Sequence, residues 1–260
     1  ADQLGNLAAG ANWYDRIVVV NTSTGQTLLN THVYHNAATE GSVDVGGSLT
    51  RSYIFTLPNG DPGVGSLEIT VTADTYNYLY EYNAGGTGES NNTASTTATS
   101  SLATYPDLVI QNLAVTPDLH SGGAVTISWQ DVNQGDGVVT GSYYDYVRVR
   151  NTATGEWLYS GTPYHNAGTE GSIAVGGALA RSVSFSLPNG PRGVGNLEIT
   201  ISNDWYNQVF EYKISAAAAE GNNTVTTEVA SAIDNYPDLQ VRNLSLSKPT
   251  IKLIELSMPA

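Results

Sequence analysis

The sequence has no cysteine, only three phenylalanines, and few charges: 13% of its 260 residues are Asp, Glu, Lys or Arg, against about 25% in an ordinary soluble domain. Without cysteine there is no disulfide scaffold, no thiolate zinc site and no cysteine nucleophile. Bases are scarcest of all. Ten Lys and Arg face 24 Asp and Glu, a formal net charge of −14, which repels phosphate and argues against nucleic acid as a partner. No apolar run approaches the roughly 18 residues needed to span a bilayer, so no membrane span is expected. Ala1–Gly5 does not read as a signal peptide. What the chain does hold is 40% apolar residues, 27 glycines and 16 tyrosines, enough apolar side chain for a packed core and too little charge patterning for disorder.

An internal repeat organises the chain. At a shift of 130, Asp15–Thr22 falls on Asp145–Thr152, Tyr34-His35-Asn36-Ala37 on Tyr164-His165-Asn166-Ala167, and Leu57-Pro58-Asn59-Gly60 on Leu187-Pro188-Asn189-Gly190. About 38 of the 68 positions from 15 to 82 are identical between the copies, far beyond compositional chance. After a one-residue insertion, Asn91-Asn92-Thr93 matches Asn222-Asn223-Thr224, and Tyr105-Pro106-Asp107-Leu108 matches Tyr236-Pro237-Asp238-Leu239. The unit is too long for a solenoid period and is the size of a domain. Taking Tyr-Pro-Asp-Leu as its start, residues 105–235 are a complete copy, 1–104 a copy lacking its first two strands, and 236–260 the opening of a further copy.

Within the unit, period-2 alternation dominates. Leu67, Ile69 and Val71 share one face and Glu68, Thr70 and Thr72 the other; Val125, Ile127 and Trp129 alternate likewise. Thr, Val, Ile and Tyr fill these runs, as suits a pleated, half-buried surface. Turn signals such as Ser23-Thr24-Gly25, Pro58-Asn59-Gly60 and Asp136-Gly137 separate them. Only Ala216–Glu220 reads as a helical turn. About seven short strands per unit predict an all-β chain of tandem immunoglobulin-like antiparallel β-sandwiches, with Trp129 as a core anchor.

Pro106–Ile110, Ser121–Trp129 and Asn133-Gln134-Gly135, followed by Asp204–Glu211 and Glu220–Thr224, resemble the opening and closing segments of the CARDB module, the cell-adhesion-related domain found in bacteria. The segment between Glu211 and Asn222 is longer than that pattern, Ala-rich here and Gly-rich in the first copy. The resemblance implies an extracellular, tandemly repeated, non-catalytic module of a large bacterial surface or secreted protein. It brings no catalytic residues.

Several residue groups are candidate sites. His35 and His165 recur in Tyr-His-Asn-Ala-x-Thr-Glu-Gly-Ser with Glu40 and Glu170 five residues on. A His–Glu pair can move protons, and a hydrolase-associated role would rest on it. Two identical pairs on neighbouring units fit better as polar loops whose side chains bond their own backbone. With no nucleophile elbow, phosphate loop or paired-histidine zinc motif, the chain reads as a non-enzyme without an organic cofactor. Calcium is the candidate ion, since its ligands are oxygens. Its candidate ligands are Asp74 and Asn77 in one copy and Asp204 and Asn207 in the other, with Glu81 and Glu211 four residues later. Were 77–82 a strand, Glu81 would lie about 13 Å from Asn77, too far to share an ion. The competing reading makes Asp74 and Asn77 the end of a turn, and a third arrangement joins Glu81 to Glu89.

Trp13, Tyr14, Tyr143 and Tyr144 open equivalent strands, and Tyr76, Trp205 and Tyr206 sit at equivalent hairpin tips. These aromatics are candidate glycan contacts, because planar rings stack on sugars. Against this, Tyr78, Tyr80 and Tyr82 read as simple cover for one sheet face. The Asn-x-Ser/Thr sites, such as Asn243-Leu244-Ser245, matter only in a eukaryotic secretory pathway. Finally, Leu239–Leu246 is a spare first strand and Ile251–Leu256 a candidate second. They suggest that one chain completes the deficient first copy of another by strand addition. Expected partners are therefore other copies or adjacent repeats, glycans or other surface proteins.

Overall fold

The computed structural model describes residues 10–44, 46–212 and 219–245. Ala216–Ala218 of the expected helical turn and the candidate strand Ile251–Leu256 lie outside them.

The first half forms one antiparallel sheet from β1 (Trp13–Asn21), β2 (Gln26–His35), β3 (Gly65–Thr72) and β4 (Thr93–Ser100), ordered β2-β1-β3-β4. The second half forms a β-sandwich from β5 (Leu108–Val115), β6 (Leu119–His120), β7 (Ala124–Asn133), β8 (Tyr143–Tyr144), β9 (Tyr146–Asn151), β10 (Trp157–Gly161), β11 (Tyr164–His165), β12 (Ala178–Ser186), β13 (Gly195–Ser202) and β14 (Thr224–Ala232). One sheet runs β10-β9-β13-β14-β6 and the other β12-β7-β5, with β11 and β8 forming a short separate hairpin. All pairs are antiparallel except β14 with β6. The chain is therefore all-β, with immunoglobulin-like layering in its second half.

Both halves use the same central pairing. Arg16↔Thr72 through Asn21↔Leu67 joins β1 to β3, and Tyr146↔Ser202 through Asn151↔Leu197 joins β9 to β13. Asn21 and Asn151 end their strands in the same way. Each side chain donates to a loop carbonyl, Val64 O at 2.7 Å or Val194 O at 2.9 Å, and accepts the N–H two residues on, from Ser23 or Ala153. After β2 and β11 the chain makes single helical turns, α1 (Ala37–Glu40) and α2 (Ala167–Glu170). The Asn36 and Asn166 side chains cap them, accepting from Ala38 N and Gly168 N. Asn is suited to this because its short carbonyl reaches an orphan N–H of the first turn.

In the second half, Val125, Ile127 and Trp129 of β7 pack across the sandwich on Val147 and Val149 of β9 and on Leu197, Ile199 and Ile201 of β13. Each such fully buried aliphatic side chain contributes about 1.5–3 kcal/mol. The first half has no such partner layer among the described residues. Residues 48–56, whose counterpart β12 pairs along its length with β7, lie outside any strand, and Ile54 is exposed. The reason is physical: strand backbone needs a neighbour to take its N–H and C=O groups.

Candidate functional site

The hairpin after β13 draws carboxylates together. Asp204 Oδ1 accepts the Gln208 N–H and Oδ2 the Val209 N–H, both at 2.9 Å. The chain turns at Asp204 and Asn207, which have φ of 40° and 50°. The loop folds back, so 77–82 and 207–212 do not run on as strands, and the separation an extended strand would impose disappears. Glu211 is then fixed from three sides. Its Oε2 accepts Leu108 N–H at 2.6 Å, its Oε1 accepts from Asn223 Nδ2 at 3.2 Å, and its own N–H donates to Glu220 Oε1 at 3.1 Å. Asp204, Glu211 and Glu220 thus offer ligand oxygens that all lie within 4.8 Å of one another. Oxygens on opposite sides of one calcium ion, each 2.3–2.6 Å from it, are separated by about the same distance.

In this cluster burial outweighs the hydrogen bonds that relieve the charge. Burial pushes the Glu211 carboxyl up to about 8, and the charges of Glu220 and Asp204 add to the effect. Burial also raises Asp204, with Glu220 contributing. No Lys, Arg or His of the described residues makes an ion pair with the three. Among the described residues the buried Glu220 Oε2 and Asn223 Oδ1 have no hydrogen-bond partner. Hard oxygen donors without imidazole or thiolate suit calcium, magnesium or manganese.

Of the calcium candidates read from sequence, Asp204 belongs to this cluster and Asn207 does not: it is exposed at the turn, where its N–H donates to Asp204 O at 2.8 Å. Asp74 makes the same turn, accepting from Tyr78 N at 2.9 Å and Leu79 N at 2.7 Å, with Asn77 exposed. Glu89 Oε1 accepts the Glu81 N–H at 2.7 Å. The Asp-x-x-Asn spacing missed Glu220. The Glu81–Glu89 arrangement held the signal, because its second-half counterpart is Glu211–Glu220.

The histidines sit elsewhere. His35 Nδ1 lies 2.7 Å from Glu40 Oε2 and His165 Nδ1 3.0 Å from Glu170 Oε2, and both imidazoles are completely buried. Beside His165, the Arg181 Nε lies 3.0 Å from Asp145 Oδ2 and 3.6 Å from Asp131 Oδ2. Tyr143 OH and Trp129 Nε1 donate to Asp131 at 3.0 and 3.1 Å. Burial, then the neighbouring Asp131 charge, pushes Asp145 up to about 8. In this network His165 faces Glu170 and the two aspartates face Arg181.

Trp13 and Tyr143 are buried, which removes them from the glycan candidates: a ring sealed in the core cannot stack on a sugar. Tyr76, Trp205 and Tyr206 are exposed and Tyr14 and Tyr144 half-buried. Tyr14 packs on Tyr34 and Tyr76 with ring centroids 4.8 and 5.7 Å apart, and Tyr144 on Tyr164 and Tyr206 at 4.5 and 5.9 Å. Tyr78, Tyr80 and Tyr82 do not cover a sheet face. They are exposed and outside any strand.

Tyr105, at the start of the second half, accepts the Gly60 N–H at 3.0 Å through its hydroxyl. Its ring lies 5.3 Å from Phe210 and 5.6 Å from Tyr212. At the far end Tyr236 accepts the Gly190 N–H at 2.9 Å and donates to Ser121 O at 2.8 Å. Gly60 and Gly190 close the two Leu-Pro-Asn-Gly loops, both at positive φ, so a tyrosine hydroxyl meets the same loop at both junctions.

No known protein family matches the sequence, and no curated protein matches it. Among solved structures the chain is similar to the CARDB domain of the PF1109 protein from Pyrococcus furiosus. The crystal structure of that domain in complex with di-metal ions matches at 17% identity and a TM-score of 0.35, over 52% of this chain and 100% of that one. Its solution NMR structure matches at 17% identity and 0.35, over 50% and 98%. Red sea bream transglutaminase matches at 12% identity and 0.32, over 87% of this chain and 27% of that one.

Proposed function

We propose that the chain is a non-catalytic spacer and adhesion segment of a secreted or surface-exposed bacterial protein, whose successive units are clamped head to tail. The tyrosine junction carries this reading. Tyr105 and Tyr236 engage Gly60 and Gly190 alike, which sets one unit's orientation on the next. At the junction, Phe210 and Tyr212 pack against Tyr105. Their first-half counterparts, Tyr80 and Tyr82, are 87% and 69% exposed, a surface suited to a preceding unit's loop. Paired double-labelling distances between the two halves test the clamp. A single narrow distribution that broadens in Tyr105→Phe supports it, and a broad distribution in the unmodified chain refutes it.

A second element of this reading is strand completion. Leu239, Val241 and Leu244 are 94%, 87% and 86% exposed, whereas their counterparts Leu108 and Ile110 are buried and Leu113 packs on the core. The first-half sheet leaves a groove lined by Ile17, Val33, Tyr53, Phe55 and Val71, on the apolar face that β7 and β5 cover in the second half. The segment 239–246 of a second copy is the proposed occupant. Light scattering should show a dimer or longer assembly that deletion of 236–260 abolishes; a monomer unaffected by the deletion removes this element.

The third element is calcium at Asp204, Glu211 and Glu220, bracing the loop that holds Leu108 and hence β5. It is supported by the buried, unpartnered Glu220 and Asn223 oxygens. Calorimetric titration with calcium should give one strong site that Glu211→Gln eliminates. A titration without binding, or binding unchanged in that variant, rejects the site.

A further inference from the structure

The outer face of β9 and β10 concentrates what the rest of the molecule lacks. Arg148 and Arg150 point out of the sheet, away from Val147 and Val149 in the core. Their neighbours are rings. The Arg148 guanidinium lies 5.2 Å from the Trp157 ring and 5.8 Å from Tyr146, and that of Arg150 lies 5.7 Å from Trp157. Trp205 continues the run, its ring 4.7 Å from Tyr146. From Tyr146 to Arg150 the strand covers roughly 13 Å, the span of a short oligosaccharide.

Four further observations mark this strip as a binding surface. Trp157 and Trp205, two of four tryptophans in the chain, are about half exposed although nothing in the fold requires a large ring there. Neither arginine makes an ion pair with a carboxylate of the described residues, in a protein with a net charge of −14. Glu198, opposite Arg150 in the β13 register with Glu228 beyond it, is the nearest acid along that row and still forms no such pair. Arg148 Nε is buried without an acceptor among the described residues. The first half carries none of these features at the matching places: Val18, Val20, Thr27 and Thr75 stand where the second has Arg148, Arg150, Trp157 and Trp205.

The geometry points to the Trp157–Arg148–Tyr146–Trp205 strip as a binding site for an acidic polysaccharide, one whose pyranose rings bear carboxylates. The exposed indoles stack on the apolar faces of the sugar rings, as aromatic side chains pack on apolar surface. The guanidiniums, already oriented by the rings beneath them, donate charge-assisted hydrogen bonds to the uronate carboxylates. The requirement for both explains why arginine and tryptophan sit together on one face. The site is independent of the spacer role; Trp205 directly follows the cluster's Asp204, while Tyr146, Arg148 and Trp157 lie on other elements.

Isothermal titration of the full chain with a short oligogalacturonate, in EDTA to exclude cation bridging, tests the assignment. Saturable binding is expected, about tenfold or more weaker in Arg148→Gln and in Trp157→Ala, and unchanged in Thr27→Ala at the matching first-half position. Trp157 is solvent-exposed, so unaltered thermal unfolding of Trp157→Ala separates lost binding from lost fold. Binding should weaken as salt rises, and neutral cellohexaose should bind at least tenfold more weakly. Absence of saturable binding, equal affinity in Arg148→Gln, or cellohexaose binding as tightly as the uronate overturns the proposal.

Discussion

Ile201 of β13 is completely buried, whereas Val71, at the same place in β3, is 39% exposed. Both strands pair with the same neighbours in the same register, and both positions carry β-branched aliphatic residues, so neither local propensity nor sheet hydrogen bonding separates them. The second sheet separates them. Where β5 and β7 close over β9 and β13, the alternating apolar face becomes core. Where no such layer is described, it stays a groove. The polar network differs in one partner: Arg181 bridges two buried aspartates, Asp131 from β7 and Asp145, while Arg51 pairs with Asp15, and each arginine also reaches its loop glutamate, at 3.8 Å for Arg181 and 3.9 Å for Arg51.

The largest test of this contrast is the arginine. Arg181→Ala strands two buried carboxylates and should cost about 3–5 kcal/mol, while Arg51→Ala, with its partner nearer solvent, should cost about 1 kcal/mol; denaturant unfolding measures both. Next comes the matched aliphatic pair. Ile201→Ala should cost about 2–5 kcal/mol, and Val71→Ala about 0.5 kcal/mol in the isolated chain. A larger Val71 effect that depends on protein concentration would show the groove filled by another copy.

The carboxylate cluster gives a pH-dependent test. Folding raises Glu211 from the usual 4.5 to about 8. Between those values the folded state holds a proton that the unfolded state has released, so this group's contribution to stability is fully present below pH 4.5 and is lost as pH rises through 8. In EDTA, Tm should drop by on the order of 5 °C across that range. Glu211→Gln should flatten only part of the curve, because Asp145 is also raised to about 8 and acts in the same direction. Calcium should restore Tm more at pH 8 than at pH 5. The junctions offer a further comparison, of modest size. Tyr236→Phe, which loses bonds to Gly190 and Ser121, should cost about 1–3 kcal/mol, and Tyr105→Phe, which loses the bond to Gly60, about 0.5–1.5 kcal/mol. Equal values for the two would blur the distinction between the ends.

Much of the fold was legible before the coordinates. The alternation of Leu67, Ile69 and Val71 marks β3, that of Val125, Ile127 and Trp129 marks β7, and Trp129 is the core anchor its position suggested. The sites were less legible. Asp204 is legible as an oxygen donor and the Glu81–Glu89 spacing points to its counterpart Glu211–Glu220, but the three carboxylates meet only after the loop folds back, so spacing alone does not join them into one cluster. Trp13 and Tyr143 misled for a related reason. A ring at a strand start reads alike whether it faces water or core, and the choice depends on which layer packs over it.

From the residue pattern alone come the β character, the turn positions and the near-identity of two stretches, because alternation, turn chemistry and repetition are local properties of the chain. Tertiary structure decided which apolar faces are buried, which carboxylates share a space and which arginines are left facing rings instead of acids. Those outcomes depend on segments far apart in sequence being brought within a few ångströms, where desolvation and charge act.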